Sequence, residues 1–422
     1  MNPKLGKWMA GGVSKLHWPG LGAAAMIAGF ALVSCGGLTD ASPTGPDAAR
    51  FLKTNGTTIR DHGGTGNVVV LRGTNAGGWL VQESWMNPTD ARDQVTMRAT
   101  LAARFGPTVG DQLEATYEDN YWSESDFVNC HNLGLNVIRL PFTSMNLLDA
   151  QGHLRPDAWN RIDWFVARAK ANGLYVLVDL HGAPGSQNGQ DHSGDTQGAL
   201  LWTSAANQDL TVWLWQQVAA RYRGESAVAG YDLLNEPTAG PGGPTGGRTT
   251  KLQWDFYDRL YHAIRAVDPD HVLVVESCWE PADLPAPSQH QWENVVYEYH
   301  NYLWGHDSDT PGQLAFTDGK IAAVQAAHYP VPTLVGEFSG FTNLDAWEGI
   351  LQRYNAAGWS WITWTYKVTG TNNNWGLYNQ TPPTVAIATD SAPTIADKWK
   401  QVGSATPNLG LMNLIFRYAR AP

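Results

Sequence analysis

Two glutamates stand near the ends of short apolar runs, where a carboxyl group is poorly solvated and its neighbours set its proton affinity. Glu236 lies in VAGYDLLNEP at 228–237, and Glu337 in TLVGEFS at 333–339. Other runs of the same kind also finish in polar or aromatic groups. These are Arg139 in NVIRLPF (136–142), Asp179 and His181 in LYVLVDLHG (174–182), Asn235 beside Glu236, His300 and Tyr302 in NVVYEYHNY (294–302), and Trp364 in WSWITWTYK (359–367). Singly, each has a bland explanation: a lone buried Arg is usually half of an ion pair, and a lone strand-end Glu is more often structural. Together they point to one site. Two carboxyl groups facing one bond suit glycosidic cleavage, in which one protonates the leaving oxygen and the other supports or attacks the anomeric carbon. In that division Glu236 starts protonated, which needs a raised pKa, while Arg139 could keep Glu337 ionised by charge and hydrogen bonding.

The elements that must carry these groups are strands and helices in alternation. With NVVVLRGTN at 67–75 and HVLVVESC at 271–278, there are eight β-branched, nearly continuous apolar runs, as expected for strands covered on both faces. Period-3.6 segments lie between them at 157–173, 207–224 and 251–268, the first stopped by a glycine. Eight strand–helix repeats predict an α/β fold, a (β/α)8 barrel in a single domain, with chemistry at the C-terminal ends of the strands. Strands four and seven then lie across the barrel mouth, so Glu236 and Glu337 can face each other. An open doubly wound sheet is the competitor, but RGTNAGG at 72–78 does not match its glycine-rich phosphate turn.

Composition narrows the partners. A net charge of -11 argues against nucleic acid, which needs a basic face. Twenty tryptophans in 422 residues lean toward carbohydrate, whose flat apolar faces stack on indole rings. Trp279, Trp292, Trp304 and Trp375 follow strand ends and could extend such a surface. Three cysteines build no disulfide framework, and Cys130 and Cys278, before strand two and at the end of strand five, are expected to be unpaired. No metal-site or phosphate-loop pattern is present. Asp191, His192 and Asp195 could be imagined as a metal loop, but loop polarity is the commoner reason for such a cluster. We therefore expect no metal and no cofactor, and a monomer.

Taken together, Arg139, His181, Asn235-Glu236-Pro237, His300-x-Tyr302, Glu337 and Trp364 resemble glycoside hydrolase family 5, over roughly residues 66–400. The resemblance implies retention of anomeric configuration through a covalent glycosyl-enzyme, with Glu236 as acid/base and Glu337 as nucleophile. It also implies that Asn235 holds the substrate 2-hydroxyl, that His300 and Tyr302 orient the carboxylates, and that Trp364 is the floor under the cleaved sugar. GTNAGGWLVQESW (73–85) and DLHGAPGSQNGQDHSG (179–194) are similar to the exo-β-1,3-glucanase branch, in which the acids matching Glu83 and Asp191 bind hydroxyls of the terminal glucose. This implies an exo-acting glucan 1,3-β-glucosidase on β-glucan poly- or oligosaccharides. An endo-β-1,4-glucanase or another β-glycanase is the alternative, and a non-catalytic glycan-binding lipoprotein a more distant one. Gln190, where the yeast-type enzymes tend to carry an aromatic gate, and the segment 364–380 depart from the pattern.

The N-terminus reads as an address. Lys4, Lys7 and Lys15 precede the apolar run GLGAAAMIAGFALVS at 20–34, which has signal-peptide length and is short for a membrane span. The run leads into Leu32-Val33-Ser34-Cys35, which resembles a bacterial lipobox. The organisation expected is a lipoprotein signal peptide at 1–34, a lipidated Cys35 with a flexible tether through 65, and the barrel domain at 66–422. The chain would thus be exported and bacterial, lipid-anchored at the outer membrane, periplasm or cell surface, touching membrane through its N-terminal lipid only. Cys35→Ser is expected to move the protein from the membrane fraction to the soluble fraction of a cell extract; persistent membrane association would count against the lipobox.

Overall fold

The computed structural model describes residues 50–421, apart from Pro241 and residues 371–373. The expected signal peptide and Cys35 lie outside the described residues. Eight strands form within the eight apolar runs: β1 Arg72–Asn75, β2 Val137–Thr143, β3 Tyr175–Gly182, β4 Val228–Asp232, β5 Val272–Glu276, β6 Val295–Asn301, β7 Thr333–Phe338 and β8 Ser360–Thr363. They pair in chain order, every pair is parallel, and β8 returns to β1, so the sheet closes into the expected barrel.

The continuous hydrophobicity of the runs follows from burial on both sides. Along β2, Val137 joins the cluster inside the barrel, while Ile138 and Leu140 join the core beneath the helices. β7 divides in the same way, with Leu334 inward and Val335 outward. The three expected helices are present as α1 Asn160–Ala171, α2 Ala205–Tyr222 and α3 Lys251–Arg265. Gly173, with φ 75°, ends the first in the left-handed conformation that favours glycine. β6 and β7 are joined through α4 Thr310–Ala327, and β7 and β8 through α5 Leu344–Ala357.

Two expectations are corrected. The strand–helix alternation is incomplete, because between β5 and β6 the described residues form only the 3-10 turn Pro287–Gln289. Pro281, Pro285 and Pro287 crowd that connection, and proline removes the N–H that a helix interior needs. The tether does not reach residue 65 either. Lys53–Asn55 and Thr58–Arg60 form a hairpin whose Leu52 and Ile59 pack on Val137, Val272 and Leu334 at the start of the strands. Lys53 pairs with Asp270 at 2.6 Å, and the Thr54 N–H donates to Asn294, both just ahead of strands β5 and β6. Burying two such side chains contributes roughly 1.5–3 kcal/mol each toward offsetting the entropy of ordering the hairpin. Cys130 and Cys278 are buried and unpaired, as expected.

If this plug belongs to the cooperative fold, Ile59→Ala should lower unfolding stability by about 2–5 kcal/mol. Denaturant melts of the two proteins would measure it, and an unchanged midpoint would show that the hairpin is not part of that unit.

Candidate active site

The site is built around a guanidinium on the barrel axis. Arg139 is wholly buried. Its Nε donates to Asp232 Oδ2 at 2.7 Å, its Nη1 to Glu337 Oε1 at 2.9 Å and Asn75 Oδ1 at 3.1 Å, and its Nη2 to Asn235 Oδ1 at 2.9 Å. Asp179 Oδ1 stands 3.2 Å from Nη2. One planar fork thus fixes side chains from β1, β3, the end of β4 and β7, the geometry for which Arg is suited. Burial works against its charge, but the surrounding carboxylates hold it firmly protonated.

Glu236 follows β4 with φ 42°, a left-handed conformation uncommon for a residue with a Cβ. Its N–H is held by Glu276 Oε2 at 2.7 Å. Its Oε1 lies 2.7 Å from Nδ1 of His300, and its Oε2 lies 3.3 Å from Nε2 of His192. Burial raises its carboxyl well above the usual range, and the charges of Glu337 and Glu83 add to this. Glu337 is treated differently. Burial pushes it up to about 7, opposed by Arg139 and by the Tyr302 hydroxyl, which donates to Oε2 at 2.9 Å. Of the two carboxyls, Glu236 therefore takes the proton first, as the sequence required. An oxygen of each and a ring nitrogen of His300 all lie within 4.8 Å of one another. A register shift between Tyr299 and His300 pairs His300 with Glu337 across β6 and β7.

These groups open into a cavity of about 370 Å³ whose lining includes Glu83, His181, Asn235, Glu236, Tyr302, Glu337 and Trp364. His181 bonds through Nδ1 to Asp179 at 2.7 Å and stacks flat against Trp364, with centroids 5.4 Å apart and planes at 13°. Trp279, Trp304 and Trp375 also line the cavity. Trp292 does not; it is buried, with its Nε1 donating to Asp258. Trp85 (44% exposed) and Trp304 (60% exposed) both pack on Trp375, at 5.2 and 5.6 Å, forming an aromatic wall at the rim. Indole surface left this open on a folded protein marks a binding site.

Apart from Trp292, the structure brings together every expected site residue among those described except Asp191. Glu83 lines the cavity, its Oε2 bonded by the Trp85 Nε1 at 2.6 Å. Asp191 is not in the lining; its Oδ2 takes the Ser84 N–H and hydroxyl at 3.2 and 2.6 Å, so it anchors the loop that carries Glu83. Sequence reading missed several contributors. His192 reaches Glu236 rather than a metal loop, and burial holds its imidazole down at about 4. Asp232, Glu276 and Glu298 are acids inside otherwise apolar strands, and that placement was the available signal. Gly246 and Gly247 form part of the lining, and a Cβ on Gly247 would fall 1.7 Å from Trp279.

Comparison with known proteins agrees with this geometry. Residues 103–370 match the family model described as Cellulase (glycosyl hydrolase family 5). A protein of Phanerodontia chrysosporium named "Beta-xylosidase" is 34% identical over 257 residues, which span 60% of this chain and 52% of that protein. A "Glucan 1,3-beta-glucosidase" of Blumeria graminis is 36% identical over 305 residues, 64% of each chain. The chain thus aligns with less than two thirds of the length of these relatives. Among solved structures, a rutinosidase from Aspergillus niger superposes with a TM-score of 0.59 at 17% identity, over 78% of this chain and 98% of that one, a likeness of fold.

The raised carboxyl at Glu337 carries a stability consequence. A group raised in the folded state contributes stability below its ordinary value of 4.5, and loses it as pH rises through about 7. Glu337→Gln removes that titration. Its melting temperature is expected to gain on the parent protein as pH goes from about 5 to about 8; a constant difference across that range would show that Glu337 titrates as an ordinary carboxyl.

Proposed function

The chain belongs to glycosyl hydrolase family 5, and on that footing we propose that it is a retaining β-glycoside hydrolase of β-glucans, acting as an exo-glucan 1,3-β-glucosidase. The observation that carries the mechanism is that an oxygen of Glu236 and an oxygen of Glu337 lie within 4.8 Å of each other, closer than carboxyls spaced to admit an intervening water. Retaining enzymes hold their carboxyl groups about 5–5.5 Å apart, whereas inverting ones need about 6.5–9.5 Å for an intervening water.

Glu236 protonates the leaving oxygen while Glu337 attacks the anomeric carbon, giving a glycosyl-enzyme ester. Glu236, now a carboxylate, then takes a proton from the water that cleaves the ester. Arg139 and Tyr302 favour the carboxylate of Glu337 against its burial and aim it. Asn235 gives its carbonyl oxygen to Arg139, which leaves its amide N–H groups for the sugar 2-hydroxyl. Trp364, backed by the His181 ring, is the flat floor. Glu83 and the wall of Trp85, Trp375 and Trp304 support a pocket that takes a chain end. Both the Blumeria graminis relative and the resemblance of residues 73–85 and 179–194 to the exo-acting branch support the glucan reading. The relative named "Beta-xylosidase" favours a second reading, β-xyloside cleavage by the same machinery. We also propose that the protein works as a monomer, and that it is exported and held to a membrane by lipid on Cys35, a reading supported by the pattern of residues 20–37.

A proton NMR time course on β-1,3-gluco-oligosaccharides tests the activity. Glucose released singly and first as the β-anomer is the expected result. First appearance of the α-anomer would overturn retention, and cleavage of β-1,4-glucans or β-xylosides in preference would overturn the linkage. Glu337→Ala should keep a cooperative fold and lose turnover on the order of 10⁴- to 10⁶-fold, as removal of an enzyme nucleophile does. Wild-type turnover in that variant would remove Glu337 from the role.

A further inference from the structure

His300 is buried between two unlike environments. Around Nδ1 lie three carboxyl oxygens: Glu236 Oε1 at 2.7 Å, Glu337 Oε2 at 3.5 Å and Glu276 Oε1 at 3.8 Å. Among the described residues Nε2 has no hydrogen-bond partner, and it faces Glu298 Oε1 at 3.6 Å. Burial and the charge of Arg139 keep the ring neutral, so it carries one N–H and one lone pair. With three acceptors at Nδ1, one of them the carboxylate that must attack, the ring proton belongs on Nδ1. The lone pair on Nε2 then needs a donor, and Glu298 can supply one if its carboxyl is protonated.

The surroundings of Glu298 favour that form. It is buried, and among the described residues neither oxygen meets an N–H or O–H donor; the acid it faces is Asp232. Arg139 Nε is 3.7 Å away but is committed to Asp232 at 2.7 Å. Burial raises the Glu298 carboxyl and the charge of Asp232 raises it further, against the opposing charge of Arg139. The unpartnered Oδ1 of Asp232 is the competing acceptor for the same proton. The carboxyl also has a space made for it: a Cβ on Gly336, next to Glu337 on β7, would lie 1.3 Å from Glu298 Oε1.

We propose that Glu298 is a positioning residue for the acid/base, a neutral carboxyl that donates to Nε2 of His300 and keeps the ring proton on Nδ1, facing Glu236. This rests on the reading of Glu236 as acid/base. With Nδ1–H against Oε1, the carboxyl proton of Glu236 sits on Oε2, free for the leaving oxygen. As that proton moves to the leaving oxygen and the C–O bond breaks, the charge left on Glu236 meets the His300 N–H. The opposite tautomer would present a lone pair to Glu236 and hold its proton back.

Glu298→Gln keeps a neutral side chain with an N–H donor, and should hold kcat/KM within about 3-fold of the parent. Glu298→Leu removes the donor. Its loss should be under about 3-fold on a dinitrophenyl β-glucoside, whose leaving group needs no proton, and above about 30-fold on an alkyl β-glucoside. The basic limb of its pH profile should move to higher pH, because the Glu236 carboxylate loses a hydrogen bond. Equal losses on both substrates, or no loss, overturn the proposal. Glu236→Ala should show the same leaving-group dependence, only larger; its absence there would instead overturn the acid/base assignment. Nitrogen-15 NMR of the parent protein gives a readout that depends neither on activity nor on the Leu variant folding. An unprotonated Nε2 on His300 is expected, and a proton found on Nε2 overturns the proposal.

Discussion

One cation on the axis of the barrel sets the terms for the rest of the site. Arg139 lies among Asp179, Asp232, Glu298 and Glu337, all but excluded from water. His181 and His300 are held neutral by burial and add no charge. A single positive charge cannot compensate every one of these acids as a carboxylate, because each buried, uncompensated ion carries a desolvation cost of several kcal/mol. Arg139 bonds Glu337 and opposes the rise that burial gives it, whereas Glu236 and Glu298, without a hydrogen bond from Arg139, are raised well above the usual range. The different duties of two chemically identical side chains follow from which one the guanidinium reaches.

The same arrangement explains why the polar apparatus needs so much support around it. Asn235 is oriented because Arg139 takes its carbonyl oxygen. The loop after β3 folds back through Gln187, whose amide donates to the backbone of both His181 and Asn235 at 2.7 Å. The Asn188 amide of that loop donates to the Glu236 carbonyl and lies 2.7 Å from His192 Nε2, so one side chain ties the second imidazole to the backbone of Glu236. Aromatic rings then supply the apolar walls of a cavity whose base is strongly polar.

Much of this was legible in the sequence because barrel folds place chemistry at strand ends, where an apolar run stops. Arg139, Glu236, His300, Tyr302 and Glu337 could be read that way. What sequence could not supply was distance across the barrel. Asp191 looked like a substrate ligand, yet it bonds Ser84 from a loop whose path no local pattern fixes. Glu298 sits mid-strand in VVYEYHN, where periodicity shows an inward position but not the imidazole it meets. The hairpin at residues 53–60 was hidden by its polar, three-residue strands, since its two plugging side chains are meaningful only against the strand ends they cover. The missing helix before β6 was readable from its prolines, but the strength of the overall alternation outweighed them.

The hairpin also fixes a direction. It covers the ends at which the strands begin, while the cavity opens where they finish, so the described fold starts at the pole opposite its mouth. A molecule leashed by its N-terminus would therefore be held by its closed end. The point of attachment and the point of substrate entry would then lie at opposite poles of the barrel, so neither need crowd the other.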